Sequence, residues 1–295
     1  MANEITVSEL AGSIPDVVRK EALEARYDDA VILKNISNYS ADVEAKSDRV
    51  SLSIMPAVSI NSVGSGGSVA NQALSTTAVE VAVSTWVECT VEVDDRALRQ
   101  SALSIIKAFG KAFGRALSQK QDLDLAAEWS NLDADYPVGG TTTGDATPLD
   151  DAMVRLARLK LNKNSSGNNG TGMVPRGRKW FLSPDAEADL LSMARFTEAQ
   201  ATGFGKGLQI EGGEIKKLYG DDVFVTDQIA TSAPVRKNMY LHPEALAIAT
   251  QKNFSITPLA KTQLSERITA HILYGVKTVR ADHAVVVSSS ENSDA

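Results

Sequence analysis

The stretch Ala78-Val79-Glu80-Val81-Ala82-Val83-Ser84-Thr85-Trp86-Val87-Glu88-Cys89-Thr90-Val91-Glu92-Val93 decides how this chain is read. Its odd positions carry Val79, Val81, Val83, Thr85, Val87, Cys89, Val91 and Val93; its even positions carry Glu80, Ala82, Ser84, Trp86, Glu88, Thr90 and Glu92. Alternation with a period of two, rich in β-branched residues, predicts a strand with one apolar and one mostly polar face. A run of ~16 residues at about 3.3 Å each spans roughly 50 Å, well beyond an ordinary strand. Upstream, Val50, Leu52 and Ile54 alternate with serines, and Met55 to Thr77 between the two runs is rich in serine and holds Gly64, Gly66 and Gly67. The pattern predicts a long antiparallel hairpin that projects and is buried by a neighbouring subunit. Val50, Leu52, Ile54, Val79, Val81 and Val83 are its expected inter-subunit residues.

Outward from the hairpin, Asp94 and Asp95 open a long helix, with acid where the helix dipole favours it. Leu98, Ala102, Ile106, Phe109, Phe113 and Ala116 form one stripe; Lys107, Lys111 and Arg115 form another. Gly110 and Gly114 recur in the tandem AFGK and AFGR. Each costs about 1 kcal/mol against alanine within a helix, so a bend or a close backbone approach is expected there. Before the hairpin, residues 14–33 read as a helix, with Pro15 in its first turn.

Charge is distributed in blocks. From Gln121 to Val154 there are eight acids and no Lys or Arg; from Arg155 to Trp180 there are seven basic residues and no acid. The first block contains a loop and starts a helix near Pro148; the second ends that helix and continues into a Gly/Asn/Ser loop. Opposite blocks in an acidic chain predict contacts between copies. Beyond them, Lys179 to Leu182 reads as a strand, and Ser183-Pro184 as the N-cap and first position of a helix running through Leu191. Gly203 to Gly213 reads as a glycine-rich loop, followed by strands at Val223-Phe224-Val225 and Met239-Tyr240-Leu241. A helix is expected from Pro243-Glu244, then alternation through Ile268, Ala270, Ile272, Tyr274 and Val276, and a last strand at Ala284 to Val287.

Composition narrows the function classes. The chain has 295 residues, 43% of them hydrophobic and 23% charged, which suits a globular protein with a core that needs no staple. A net charge of −7 argues against a general nucleic-acid surface. Cys89 is the single cysteine, excluding an intramolecular disulfide, and its alternation with valines predicts a buried structural thiol. Three histidines, His242, His271 and His283, lie scattered and predict no zinc site of the usual nitrogen and sulfur kind. The N-terminus has no signal-peptide pattern and no stretch approaches the ~18 apolar residues of a membrane helix, so a soluble, cytoplasm-made chain is expected.

The order of these elements resembles the major capsid proteins of tailed double-stranded DNA phages, the Hong Kong ninety-seven type of fold that encapsulins share. The resemblance rests on Lys179-Trp180-Phe181-Leu182-Ser183-Pro184, on Gly213-Glu214-Ile215 through Tyr219-Gly220 before Val223-Phe224-Val225, and on Tyr274-Gly275-Val276 before Arg280 and Val285-Val286-Val287. It implies an α+β fold divided into an N-terminal arm (1–40), an extended hairpin loop (41–93), a peripheral domain with the spine helix (94–163 and 256–295) and an axial domain (164–255). It further implies self-assembly into hexamers and pentamers of an icosahedral shell around double-stranded DNA. Portal, a separate scaffolding protein and a decoration protein are the implied partners, with no membrane. Lys107, Lys111 and Arg115 are placed by the resemblance on the inner, DNA-facing surface, with salt bridging to the acidic blocks as the plainer reading. An encapsulin-type shell, or a hydrolase with an acidic site, are the alternatives.

No motif calls for catalysis, cofactor or metal. Gly203-Phe204-Gly205-Lys206-Gly207 lacks the phosphate-loop spacing. Arg176-Gly177-Arg178-Lys179 reads as a basic strand edge facing an acidic neighbour, and Asp133/Asp135 as a solvated loop. The histidines have no accompanying nucleophile motif. Some members of the family weld subunits through a hairpin lysine, but no lysine lies between Lys46 and Lys107 here, so a non-covalent shell is expected.

Overall fold

The computed structural model describes residues 20–25, 30–43, 47–54, 62–63, 65–68, 71, 75–132, 147–163, 174–193, 208–211, 214–232, 235–262 and 265–291. The expected loop pair Asp133/Asp135 and the 203–207 glycine run lie outside them. Among the described residues, three long helices and two main sheets organise the fold. The helices are α1 (Asp95–Ala127), α2 (Asp151–Lys163) and α3 (Pro184–Ser192), with a further helical stretch at 20–25.

The first sheet has the order β1-β11-β12-β4, built from Ser37–Asn38, Leu246–Thr262, Ser265–Thr278 and Thr85–Asp94. β11 and β12 form a long antiparallel ribbon with register shifts, and β12 pairs with β4 from Tyr274↔Thr85 to Ser265↔Asp94. The second sheet runs β13-β10-β5-β8-β7-β6, from Ala284–Ser290, Val235–Leu241, Lys179–Leu182, Asp221–Val225, Glu214–Leu218 and Leu208–Glu211, with short β9 (Thr231–Ser232) beside β10. A separate two-stranded sheet pairs β2 (Arg49–Ile54) with β3 (Thr77–Ala82). β11 runs continuously across residues 255 and 256, and β13 pairs with β10.

The second sheet is covered on both faces. Trp180, Leu182, Tyr240, Val285 and Val287 turn to one side, where Val154, Ala157 and Leu161 of α2 and Ala186 and Leu190 of α3 pack on them. Phe181, Met239, Leu241, Ala284 and Val286 turn to the other, against Phe113, Leu117 and Leu125 of α1 and Ile32 and Ile36 of the arm. A strand buried on both faces has no polar side, which is why Trp180-Phe181-Leu182 reads as a continuous apolar run after Lys179. Trp180 and Tyr240 stack at 4.2 Å between centroids.

Several expectations are met and several corrected. The period-two pattern over 78–93 holds as exposure: even positions from Glu80 to Glu92 are exposed and odd ones buried or half-buried. It is not one strand, however. It breaks at Val83-Ser84, so that β3 pairs with β2 and β4 with β12. The break falls where the backbone crosses Gly275 of β12, whose missing Cβ leaves room for the Ala82 carbonyl. Ser183 caps α3 by accepting from the Ala186 N–H, with Pro184 next, as expected. The helix expected over 14–33 is absent from 30 to 36, which form bends and a 3-10 turn (Leu33–Asn35) held by Asp122. Pro243-Glu244 opens only a three-residue turn before β11, because Leu246 and Ile248 pack on one side of the sheet and Ala247 and Ala249 on the other. Part of the expected glycine-rich loop is strand β6, and the helix expected near Pro148 starts at Asp151, with Asp150 accepting from Met153 N–H.

Candidate functional site

The hairpin is the first candidate surface. β2 and β3 pair Val50 with Val81, Leu52 with Val79 and Ile54 with Thr77, and among the described residues no third strand joins them. Val50, Val81 and Val83 are buried at 6%, 0% and 7% exposure against Ala247 and Ala249 of the same chain. The Val83 N–H also donates to the Asp48 carbonyl at 2.8 Å. These three valines therefore anchor the hairpin to its own subunit, a correction to their expected inter-subunit role. Hydrophobicity alone could not separate anchor from contact surface, because both are apolar at the same spacing. Leu52, Ile54 and Val79 are half-buried, and Leu52 packs against the same cluster as the three valines. On the outer face Arg49 bridges Glu80 at 2.9 Å across the two strands. Asp48, hydrogen-bonded to Arg49, titrates below the usual aspartate value.

The spine helix α1 carries the cationic stripe. Lys111 and Arg115 are both exposed, and the Lys111 ammonium stands 3.7 Å from the Glu21 carboxylate. The Lys107 side chain lies outside the described residues. The apolar face runs Phe109, Phe113, Leu117, Leu125; Ala116, expected within it, is exposed. At Gly114 an added Cβ would lie 2.1 Å from the Ala22 carbonyl oxygen, so the expected close backbone approach is made by the arm. Four residues past Leu117 and Ser118 come Gln121 and Asp122, both fully enclosed. Asp122 Oδ2 accepts from Val31 N–H at 2.8 Å and Ile32 N–H at 3.2 Å, and Oδ1 from Leu33 N–H at 2.9 Å. Burial raises its pKa above the ordinary value, with those three donors and Lys34 acting in the opposite sense.

The charge blocks turn inward. Asp124 accepts from Tyr274 OH at 2.6 Å; Glu128 accepts from the N–H and Oγ1 of Thr278 at 3.0 and 2.9 Å. Asp151 takes hydroxyl and guanidinium partners from Tyr219 and Arg155. On the basic side Arg178 is 4% exposed and reaches Asn162 and the Val174 and Pro175 carbonyls, and Lys179 reaches Asn35. The expectation that these blocks serve contacts between copies, and that Arg178 and Lys179 face an acidic neighbour, is corrected for these residues. Blocks in sequence are not patches in space once strands and helices cross. These carboxylates tie separate elements together.

Sequence reading also passed over Trp86, which lies on the polar face of β4 and is 61% exposed. His271 stacks on it at 5.9 Å and the Lys252 ammonium lies 5.6 Å from the ring centre. Its signal was an indole among Glu and Thr at even positions. Cys89 is half-buried beside Val87 and Val91, and burial raises its thiol pKa, as befits a structural residue. Lys237 is nearly enclosed, with Ser288 Oγ at 3.0 Å and the Trp129 ring at 4.9 Å; burial lowers its pKa. Two of the scattered histidines come together: His242 and His283 lie edge to face at 5.9 Å, with Glu244 between them. Among the described residues no helix is long and apolar enough to cross a membrane.

Comparison with known proteins accords with this arrangement. A family model described as phage capsid protein matches residues 76–287, about seven tenths of the chain, from the hairpin's second strand to the last strand. A structure from Mycobacterium phage Che8 superimposes with a TM-score of 0.68 at 21% identity, covering 88% of this chain and 90% of its own. The capsid of cyanophage P-SCSP1u gives 0.68 at 11%, covering 89% of each chain. The encapsulin of Synechococcus elongatus PCC 7942 gives 0.59 at 12%, covering 88% of each. A search of curated protein sequences finds no match. The α+β architecture is thus that of the Hong Kong ninety-seven type, and with a family match over most of its length the chain belongs to the phage capsid protein family, as a shell-forming major capsid protein of the virion.

Proposed function

We propose that the chain builds an icosahedral shell of hexamers and pentamers around packaged double-stranded DNA, acting through geometry rather than catalysis and without a cofactor. In this reading it is made in the host cytoplasm and partners a portal, a separate scaffolding protein and a decoration protein. The arm (1–40) and hairpin loop (41–93) clasp neighbours; the peripheral (94–163 and 256–295) and axial (164–255) units form the body. The observation that carries the reading is the hairpin: anchored by Val50, Val81 and Val83, yet leaving Leu52, Ile54 and Val79 only half-buried, with no third strand beside them among the described residues. Head-to-tail contacts of this kind close into shells when the rotation permits.

For the spine stripe, Lys107, Lys111 and Arg115 are the residues proposed to face DNA, with Lys111 also standing beside Glu21 of the arm. An acidic chain with few such cations holds condensed DNA loosely. Replacing Leu52, Ile54 and Val79 together by serine tests the hairpin. Sedimentation should show folded subunits that no longer form closed particles. Normal particles from this variant refute the role. The likeness to an encapsulin favours a second reading, a shell around protein cargo, and the contents of purified particles distinguish the two: nuclease-protected DNA or a co-purifying protein.

A further inference from the structure

Where the chain passes from one main sheet to the other it makes two short turns, Pro243–Ala245 between β10 and β11 and Ala281–His283 between β12 and β13. The turns lie side by side, joined by the His242 N–H donating to the His283 carbonyl at 2.9 Å and by the Val279 N–H donating to Ala245 at 2.9 Å. One imidazole comes from each crossing. We propose that His242, Glu244 and His283 bind a first-row divalent cation of the zinc type, which ties the two crossings together.

Three observations carry this. The ligand atoms of the three side chains lie within 4.8 Å of one another, with Glu244 Oε2 3.9 Å from Nδ1 of both His242 and His283. Tetrahedral ligands at about 2.0–2.1 Å from zinc stand roughly 3.3 Å apart, so the carboxylate must close by about 0.6 Å on each imidazole and the two imidazoles by up to about 1.5 Å on one another. The Glu244 side chain, 52% exposed, supplies the first of these, and His242, with a side chain 14% exposed against 3% for His283, is the imidazole with room for the second. The second observation is an unpartnered donor set: His283, with a side chain only 3% exposed, aims Nδ1 at this cluster with no hydrogen-bond partner. The third lies behind the ring. Asp282, 5% exposed, has Oδ2 3.7 Å from His283 Nε2, and its Oδ1 has no partner. A carboxylate behind a metal-bound imidazole takes the ring's other N–H and fixes the tautomer.

The proton placement follows. When Nδ1 of His283 gives its lone pair to the cation, its proton resides on Nε2 and is donated to Asp282. The Arg280 guanidinium, 3.1 Å from Nε2 and a donor itself, then leaves that nitrogen. His242 Nδ1 has only a long 3.4 Å contact from the Glu244 N–H to release. Two imidazoles and one carboxylate select zinc, cobalt or nickel over calcium and magnesium, which prefer oxygen ligands. Water completes the fourth position.

The test uses the untagged full chain, stripped with a chelator and titrated with zinc chloride by calorimetry. One zinc per chain is expected, and cobalt should give the visible absorption of a tetrahedral complex. Glu244→Gln and His283→Gln should each weaken zinc binding about tenfold or more, whereas His271→Gln should leave it unchanged. Zinc should also raise the melting temperature of the wild-type chain and not that of Glu244→Gln. Because Glu244 is exposed, its variant reports even if His283→Gln fails to fold. Absence of stoichiometric binding, equal binding by Glu244→Gln, or loss of binding in His271→Gln overturns the proposal.

Discussion

At Gly275 an added methyl would stand 1.9 Å from the Ala82 carbonyl oxygen and 3.1 Å from the Val83 Cα. Both are backbone atoms, so no side chain can swing away. Gly275→Ala should therefore cost about 2–3 kcal/mol and pry the hairpin base from β12, read as a lowered urea midpoint and faster proteolysis of the hairpin. An unchanged midpoint means the crossing has slack. Asp122 poses a different question, since one carboxylate serves three backbone donors. Asp122→Asn sets an NH2 against one of them and should cost about 1–3 kcal/mol. Burial holds the Asp122 pKa above 3.8, so the folded chain keeps this proton more tightly than the unfolded one. That contribution is complete below 3.8 and is lost as pH rises through the elevated folded value. The stability difference between wild type and Asp122→Asn should accordingly shrink as pH climbs through that interval. If it grows instead, the three N–H donors outweigh burial.

Among the elements, the hairpin and helix α3 behave oppositely under change. Deleting residues 61–76 removes the connection beyond the Ile54↔Thr77 pair and leaves the Val50–Val81–Val83 anchor in place. The far-UV circular dichroism of the body should survive while assembly weakens; outright unfolding contradicts the division between anchor and tip. In α3 the Ser183 hydroxyl takes the Ala186 N–H at 3.2 Å in a buried setting, so Ser183→Ala should lower stability by about 1 kcal/mol without altering assembly of folded subunits. Strand β5 shows why one element was legible and another not. Four apolar-to-amphipathic residues before a Ser-Pro cap identify Lys179–Leu182 without ambiguity. β11 mixes Leu246-Ala247-Ile248-Ala249-Thr250, buried on both faces at its start and shifted in register later, so neither period two nor a helical stripe marks it.

For the whole molecule, covalent welding has no chemistry to draw on in the hairpin. No lysine lies between Lys46 and Lys107, and the one thiol, Cys89, packs with Val87 and Val91. Mature particles boiled in denaturing detergent should run as a single band at the monomer mass. A ladder of covalent pentamers and hexamers refutes this and points to Lys46. Because the described acids of the 121–154 block bond within the chain, assembly should also depend on salt less than the block pattern suggests. A sharp loss of particles between low and moderate salt would restore the charge-block reading.

Local patterns in the chain determined the hairpin, the spine helix, the capped α3 and the closing strands, because each is specified by neighbours within a few residues: alternation, a stripe, an N-cap. They also determined which chemistries were out of reach, since a lone cysteine and a tip without lysine need no fold to interpret. Tertiary structure alone decided the rest. It broke the 78–93 strand at the Gly275 crossing, turned Val50, Val81 and Val83 into an anchor, and drew the acidic and basic blocks into bonds with backbone far away in sequence, as Asp122 does with residues 31–33. It also set His242 beside His283, which are 41 positions apart and look scattered on the line. Periodicity records which face of an element is apolar. Only packing of one element on another states what that face meets.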